Sequence, residues 1–292
     1  MACEKPIRAW RPASNSGPIH FNRPNSSHAY IEFDLPCGYC ILCQEEKARQ
    51  WAVRIHHEAQ LRPNNSFITL TYEDSKLPPY NSLRFQDLYD FWKRLKIHLW
   101  RKERQRIKYY AAGEYGDLTL RPHYHACIFG HDFTSDGRII RQGQHPLWTS
   151  PTLERLWGHG MVSVGTLNFQ TARYTASYVT KKLRSKQQYV RVDKETGELI
   201  ALEQPAASMS RNLAREWWNK YRHHVSANDV VVIEGTPQKP PKAYDRWLGE
   251  ENEIPLQMLK EQRIKLAPKL DSNQRRARAE NARARRKKSK TV

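Results

Sequence analysis

The sequence predicts an α+β fold, an antiparallel sheet with helices packed against it, and three observations predict it. Phe67–Tyr72 alternates apolar and hydroxyl side chains, the period-two pattern of a half-buried strand. Ile107–Gly113 and Arg121–Gly130 are two further strand-like runs, separated by a turn signal at Gly116-Asp117, as in a hairpin. Phe85–Lys102 and Thr171–Leu183 place their apolar residues three and four apart, which gives each helix a single apolar stripe to lay on a sheet.

Taken in chain order, Met1–Leu35 is rich in Pro, Asn and Ser and reads as an irregular, packed arm. Gln44–Leu61 carries Ala48, Trp51, Ala52, Ile55 and Ala59 at helical spacing. After the strand Phe67–Tyr72 and a Pro-rich loop, Leu88, Phe91, Trp92, Leu95 and Leu99 form the stripe of the Phe85–Lys102 helix. Asp132–Ser150 reads as loop, Leu153–Trp157 as a short helix and Met161–Leu167 as a strand. In Thr171–Leu183 the stripe is Ala172, Ala176, Val179 and Leu183. Tyr189–Leu202 reads as a hairpin turning at Glu195-Thr-Gly197, and Asn212–Tyr221 as a helix carrying Leu213, Trp217 and Trp218. Pro237–Pro241 breaks the pattern. Beyond Glu250 the chain is polar and charged, the composition of a tail that is disordered or turns helical only on a polyanion. Three stretches result: residues 1–62 with the cysteines and a helix, a core over 63–248 with a hairpin and helix added at its end, and a basic tail over 249–292.

The composition is that of a folded protein: 39% hydrophobic residues, 11% aromatic and nine tryptophans supply a core. No apolar run approaches the roughly 20 residues of a membrane-spanning helix, and the first residues lack the apolar segment of a secretory signal. A cytosolic location and no membrane partner are therefore expected. Lys and Arg number 49 against 30 Asp and Glu, a net charge of +19, which attracts polyanions and above all nucleic acid. Arg275–Lys290 holds nine basic residues and one acid; without it the body still carries +11. Within that tail Arg275, Arg276, Arg283, Arg285, Arg286, Lys287 and Lys288 are the candidate nucleic-acid contacts.

Two constellations carry chemistry. In Arg121-Pro-His-Tyr-His-Ala-Cys-Ile-Phe129, His123 and His125 stand two apart on a strand and so project from one face. Paired imidazoles suit a divalent metal; the third ligand falls to Glu114, at a strand end in Gly113-Glu-Tyr-Gly116, ahead of Asp117 near the turn. The bland alternative is a structural or exposed pair. In Arg173-Tyr-Thr-Ala-Ser-Tyr-Val-Thr-Lys-Lys182, Tyr174 and Tyr178 share a helical face, with Lys181 and Lys182 close behind. A phenol becomes a nucleophile only when a neighbouring charge favours its anion, which the lysines or a metal would do; otherwise such a pair simply packs on the sheet. Thr69 and Thr71 share a face of the first strand, which reads as core support. Cys127 reads as core.

The order of these pieces resembles that of the HUH endonucleases: an apolar strand, His-x-His with an acid upstream, then a helix with Tyr-x-x-x-Tyr and Lys. The wording of Pro36-Cys-Gly-Tyr-Cys-Ile-Leu-Cys43, Phe67–Tyr72, Gly113–Gly116, Arg121–Ala126 and Tyr178–Lys182 resembles the replication initiators of gokushovirus-type microviruses, single-stranded DNA bacteriophages, over approximately Met1–Tyr244. Tyr124 departs from the pattern in being aromatic rather than aliphatic, and it faces away from the histidines. The resemblance implies a split β-α-β, ferredoxin-like core. It implies that His123, His125 and Glu114 bind Mg2+ or Mn2+, and that Tyr174 and Tyr178 are alternating nucleophiles on single-stranded DNA at a phage replication origin. Lys182 and Lys181 would orient the phenol or neutralise charge. A host polymerase would extend the freed 3′-hydroxyl, a host helicase is the other expected partner, and the setting would be the cytoplasm of the infected bacterium. A plasmid or transposon nuclease of the same superfamily is the rival enzyme; a zinc-bearing nucleic-acid-binding protein without catalysis is the rival from another class.

The five cysteines are an odd number without secretory context, so no disulfide framework is expected. Cys37-x-x-Cys40-x-x-Cys43 offers three thiols in a short loop, with Cys3 as the fourth ligand of a structural Zn2+, or His20 or His28 in its place. An iron–sulfur cluster and unmetallated thiols are the other readings.

Overall fold

A computed structural model of the chain describes residues 3–14, 17–25, 29–116, 119–181, 189–193, 195–266 and 270–288, the side chains at 179–181 and 287–288 excepted. It divides into two compact units: residues 1–47 with 260–292, and residues 48–259.

The larger unit is built on seven strands, β3 (Asn65–Thr71), β4 (Lys108–Tyr115), β5 (Pro122–Phe129), β6 (Arg138–Arg141), β7 (Leu147–Thr149), β8 (Val162–Thr166) and β11 (Ala206–Met209). They form one sheet in the order β11-β4-β5-β3-β8-β7-β6, with every neighbouring pair antiparallel. Because β5 lies between β3 and β4, those two strands are parallel to each other. They are joined through helix α2 (Phe85–Glu103), a split β-α-β unit. β5 and β8 likewise flank β3 and are joined through α3 (Pro151–Trp157). The central order β4-β5-β3-β8 is thus the β-α-β-β-α-β arrangement of a ferredoxin-like core, and the fold is α+β as predicted.

Alternation along the strands assigns the two faces. Ile68, Leu70, Tyr72, Ala111, Tyr124, Ala126 and Ile128 pack with Leu88, Phe91, Trp92 and Leu95 of α2 and with Leu153 and Trp157 of α3. On the other face Phe67, Tyr110, Cys127 and Phe129 meet Ala52 and Ile55 of α1 (Ile41–Gln60) and Ala172 and Ala176 of α4 (Phe169–Lys181). The glycine of Gly113-Glu114 follows from this layering. A Cβ at Gly113 would lie 2.9 Å from the Phe85 ring and 3.0 Å from that of Tyr124, so only glycine admits α2 this close. Tyr124 fills the α2 side, its hydroxyl donating to the Arg84 carbonyl at 2.8 Å. The aromatic residue between the two histidines is therefore a buried anchor for the start of α2.

Two hairpins, β9 (Val190–Val192) with β10 (Leu199–Ala201) and β12 (Val231–Ile233) with β13 (Thr236–Gln238), lie outside the main sheet. Helices α5 (Arg215–Asn228) and α6 (Lys242–Glu251) share a cluster of Trp217, Trp218, Tyr244 and Trp247 with Val53 and Leu256.

In the smaller unit, β1 (Ile7–Pro12) pairs with β2 (Tyr30–Leu35) from Ile7↔Leu35 to Pro12↔Tyr30. Helix α8 (Ser272–Lys288) belongs to the same unit, and α7 (Glu253–Leu266) contributes its last residues.

Three expectations need correction. The first 35 residues are not an irregular arm but contain a strand pair; its faces are largely exposed, so backbone pairing rather than an apolar pattern holds it. Asp132–Ser150 is not loop throughout, since β6 and β7 extend the sheet; Ile139 and Ile140 are both exposed at that edge, which hides the alternation. The stretch after Glu250 is not a featureless tail: α7 and α8 occupy most of it, and Ala279 and Ala282 are buried on so narrow a stripe that composition masks it. The end of that stretch belongs with the cysteine-bearing start, because residues 1–47 and 260–292 form one unit. Strand β11 and the pair β12–β13 have no counterpart among the expected elements.

Candidate metal centre and tyrosine pair

Strand register delivers three of the expected side chains to one spot. Glu114 on β4 stands opposite His123 on β5, and His125 lies two residues further along β5 on the same face. Glu114 Oε1 is 2.9 Å from His123 Nε2 and 3.5 Å from His125 Nε2. One donor atom from each of Glu114, His123 and His125 falls within 4.8 Å of the others. Glu114 and His125 are buried and His123 is half-buried, so the trio opens to solvent on the His123 side.

The far edges of both imidazoles are engaged by the frame. His123 Nδ1 donates to the Arg121 carbonyl at 3.2 Å, which leaves the Nε2 lone pair turned toward Glu114. His125 Nδ1 meets Thr69 Oγ1 at 3.0 Å, because Thr69 on β3 is the register partner of His125. Phe67 stacks on the His125 ring at 5.6 Å. In sequence the Phe67–Tyr72 strand reads as core support; one of its faces, Phe67 and Thr69, instead belongs to the site. The shared face of Thr69 and Thr71 is a signal of this, but only the pairing of β3 with β5 gives it a partner. Two imidazole nitrogens and a carboxylate oxygen are a mixed donor set that fits a divalent cation, with two neutral histidines to accept it.

Helix α4 brings the tyrosines to the same place. Its start is fixed by a reciprocal cap: Thr171 N–H donates to Asn168 Oδ1 at 2.8 Å and Asn168 N–H to Thr171 Oγ1 at 2.9 Å. Thr175, Ala172 and Ala176 are buried against the sheet, which sets the helix phase. With that phase Tyr178 stacks on the His125 ring at 5.3 Å and 14°, Tyr174 meets the same ring edge-on at 5.1 Å, and the two phenol rings are 4.7 Å apart. Tyr178 is buried and Tyr174 is 47% exposed, so they sit at different depths in one site. Burial, and then the negative charge of Glu114 beside it, raise the Tyr178 phenol above its ordinary range. With no cation at hand, that phenol is kept protonated.

The lysines of the prediction cannot be placed in this geometry. Lys182 lies outside the described residues, as does Asp117, and of Lys181 only the backbone, at the end of α4, is described. Cys127 is buried on the α4 side with Sγ 3.7 Å from Thr175 Oγ1. Burial pushes its thiol up to about 12.

The second group lies in the smaller unit. Donor atoms of Cys3, Cys37, Cys40 and Cys43 all fall within 4.8 Å of one another. Burial opposes ionisation of Cys40, yet N–H groups of Glu4 and Cys43 turned toward its sulfur bring the thiol down to about 7. Burial raises Cys43 and Cys3 instead, so the four thiols would share charge unequally in the absence of a metal. His20 is not in this group: it pairs with Trp10 across the β1 edge and stacks edge-on with Tyr30. His28 lies outside the described residues.

Of the tail residues, Arg275, Arg283 and Arg285 are paired with Asp34, Glu4 and Glu45, and Arg286 donates to Gln44 at 3.2 Å. Arg276 and Arg278 are exposed on the opposite side of α8, and the side chains of Lys287 and Lys288 are not described.

Comparison with known proteins adds a lineage to this geometry. Residues 65–183 match the family model of replication-associated proteins of the ORF2 group, a span that holds Glu114, both histidines and both tyrosines. The chain is 32% identical to Replication-associated protein VP4 of Bdellovibrio phage phiMH2K over 254 residues, covering 85% of this chain and 77% of that one. It is also 32% identical to Replication-associated protein ORF2 of Spiroplasma virus 4 over 289 residues, 91% of this chain and 87% of that one. Replication-associated protein ORF4 of Chlamydia phage 1 is 31% identical over 157 residues, 52% of this chain and 39% of its own. No solved structure matches.

Proposed function

The chain belongs to the family of phage replication-associated proteins, and from that premise we propose that it opens replication of a circular phage genome by nicking single-stranded DNA at the origin. The observation that carries this is the seating of two tyrosine rings against His125, itself within reach of Glu114 and His123. Nothing in a bare nucleic-acid-binding module calls for phenols beside a mixed nitrogen–oxygen donor set. In HUH-type chemistry the phenol oxygen attacks the scissile phosphorus. The Oη–P bond forms, the P–O3′ bond breaks, and the departing 3′ oxygen takes up a proton, leaving a 5′-phosphotyrosine and a 3′-hydroxyl.

His123, His125 and Glu114 would hold one Mg2+ or Mn2+, which supplies Lewis-acid polarisation of the phosphate when bound. The Arg121 carbonyl and Thr69 hydroxyl hold the two imidazoles in orientation for that role. Tyr174, half-exposed, meets incoming DNA first, while Tyr178 lies deeper, beside Glu114. Two phenols in one site let one tyrosine keep the 5′ end while the other cuts the displaced strand, so the circle closes without release of the protein. Lys181 and Lys182, which follow Tyr178 in sequence, would neutralise the phosphate. The freed 3′-hydroxyl is the primer for a host polymerase, with a host helicase opening the duplex, in the cytoplasm of the infected bacterium. No helix among the described residues is long and apolar enough to cross a membrane. The four-cysteine set, all soft thiolate donors, would take Zn2+ in a structural role.

The test is a covalent adduct. Incubated with single-stranded phage DNA and Mn2+, the protein is expected to yield a denaturation-resistant protein–DNA species that EDTA abolishes. Tyr174→Phe and Tyr178→Phe should each remove part of the cycle, and the double variant all adduct. Cleavage at the parent rate by the double variant, or an adduct indifferent to EDTA, would sink the proposal. A non-catalytic binder would show only salt-sensitive association.

A further inference from the structure

The four clustered cysteines lie next to the basic C-terminal helix. Cys3 Sγ and Cys40 Sγ are 3.8 Å apart, and no cysteine is in a disulfide. A tetrahedron with sulfurs about 2.3 Å from a central zinc has edges of about 3.8 Å, the spacing of a tetrathiolate site. The backbone is folded around the sulfurs in the same sense. Cys37 N–H donates to Cys3 Sγ at 3.3 Å, Cys40 N–H to Cys37 Sγ at 3.3 Å, and Glu4 N–H to Cys40 Sγ at 3.4 Å. These donors compensate sulfur charge, which four thiolates around one divalent ion leave in excess.

Helix α8 is seated on this loop. Ile41 and Leu42, the two residues between Cys40 and Cys43, are buried with Ala279 and Ala282, and Cys40 packs against the same cluster. Arg283 Nη2 grips both carboxylate oxygens of Glu4 at 2.6 and 2.7 Å, and it is the Glu4 N–H that donates to Cys40. Arg286 donates to Gln44, the residue after Cys43. The apolar part of the seat is two alanines on two aliphatic residues, and its ion pairs are partly exposed, so each contributes little by itself. A seat this thin holds a helix only if the platform is rigid. The platform joins Cys3 to a loop more than thirty residues away, and no large core lies beneath it.

We propose that Cys3, Cys37, Cys40 and Cys43 bind one Zn2+, and that this zinc fixes the seat of α8, so that the basic helix is docked in the metallated protein and released when the metal is removed. The inference rests on the reading of the cysteine set as a zinc site and is independent of the nicking chemistry. It makes the C-terminal basic segment a part of a metal-ordered unit rather than a free arm.

The experiment uses the full chain, with zinc measured by elemental analysis and amide hydrogen exchange followed in 272–288 and in β3–β5. The expected result is one zinc per chain and protection of 272–288, lost by roughly tenfold or more on chelation under reducing conditions while β3–β5 keep theirs. Cys40→Ser should reproduce the loss, and its β3–β5 protection reports whether the variant is folded. Arg283→Glu should free the helix and retain the zinc. Protection of 272–288 that persists after complete zinc removal, or is absent from the metallated protein, overturns the docking. Fewer than about 0.2 zinc per chain overturns the site itself. Neither result touches adduct formation by Tyr174 and Tyr178, so the two proposals fail separately.

Discussion

His125 is fixed from three sides: Thr69 at Nδ1, Phe67 on one face and Tyr178 on the other. A ring so held loses no further entropy when its Nε2 accepts a metal, and partners of this kind are worth about 10–100-fold in metal affinity. Thr69→Val keeps the shape and β preference of the residue but removes the hydroxyl. It is expected to raise the Mn2+ concentration for half-maximal cleavage by about tenfold, with the rate at saturating Mn2+ little changed; an unshifted metal titration would deny Thr69 that role. A second histidine is informative for stability. His57 is fully buried and stacked on Trp217 at 3.5 Å, with Nδ1 2.6 Å from the Tyr244 hydroxyl. Its Nε2 has no hydrogen-bond partner among the described residues. Burial, with a small contribution from His56, holds its pKa down to about 3 against 6.5 for the free group. The unfolded chain therefore binds the proton first. Stability from this residue is complete above pH 6.5 and falls as pH drops from there toward 3, by up to about 1.4 kcal/mol per pH unit. Urea unfolding of His57→Leu should show a shallower loss between about pH 6.5 and 4 than the parent, and parallel profiles would rule out His57 as the source.

At the scale of elements, the decisive piece is the phase of α4. The tyrosines reach His125 only because the helix begins where the Asn168–Thr171 cap starts it, and Ala172 and Ala176 lie flat on the sheet. Asn168→Ala removes the side-chain half of the cap and should cost about 1 kcal/mol. Thermal unfolding measures that loss. Cleavage should fall too, since a frayed first turn loosens the helix ahead of Tyr174. A variant as stable and active as the parent would show that packing alone sets the phase. The helix pattern itself was legible in the sequence, and so were β3, β4, β5 and α2, because each is long enough for its period to show. The short strands β6, β7 and β11 were not, since three or four residues with exposed or half-exposed faces carry no period to read.

For the whole molecule, charge is the dominant property, +19 over 292 residues, and it favours a polyanionic partner at long range. Its distribution is less simple than composition suggests. Arg275, Arg283 and Arg285 are paired with acids of their own unit, so part of the tail's charge is neutralised internally. Arg276 and Arg278 are exposed and carry the outward face of α8. Replacing both with Gln is expected to lower the salt slope of single-stranded DNA binding by about 1.4, or roughly 0.7 per phosphate contact, without affecting adduct formation. An unchanged slope would place the phosphate contacts elsewhere.

Fold class, main elements, family and the two residue groups that matter can all be read along the chain, because period, motif order and identity are local properties. His123 and His125 on one face, or Tyr174 and Tyr178 on another, need nothing beyond the geometry of a strand and a helix. Which element faces which is settled at the tertiary level. That Thr69 stands against His125, that Tyr178 lies deeper than Tyr174, and that α8 rests on the cysteine loop are consequences of strand register and of contacts between residues far apart in sequence. Such contacts are individually weak and leave no periodic trace, so they become visible only when the chain has closed on itself.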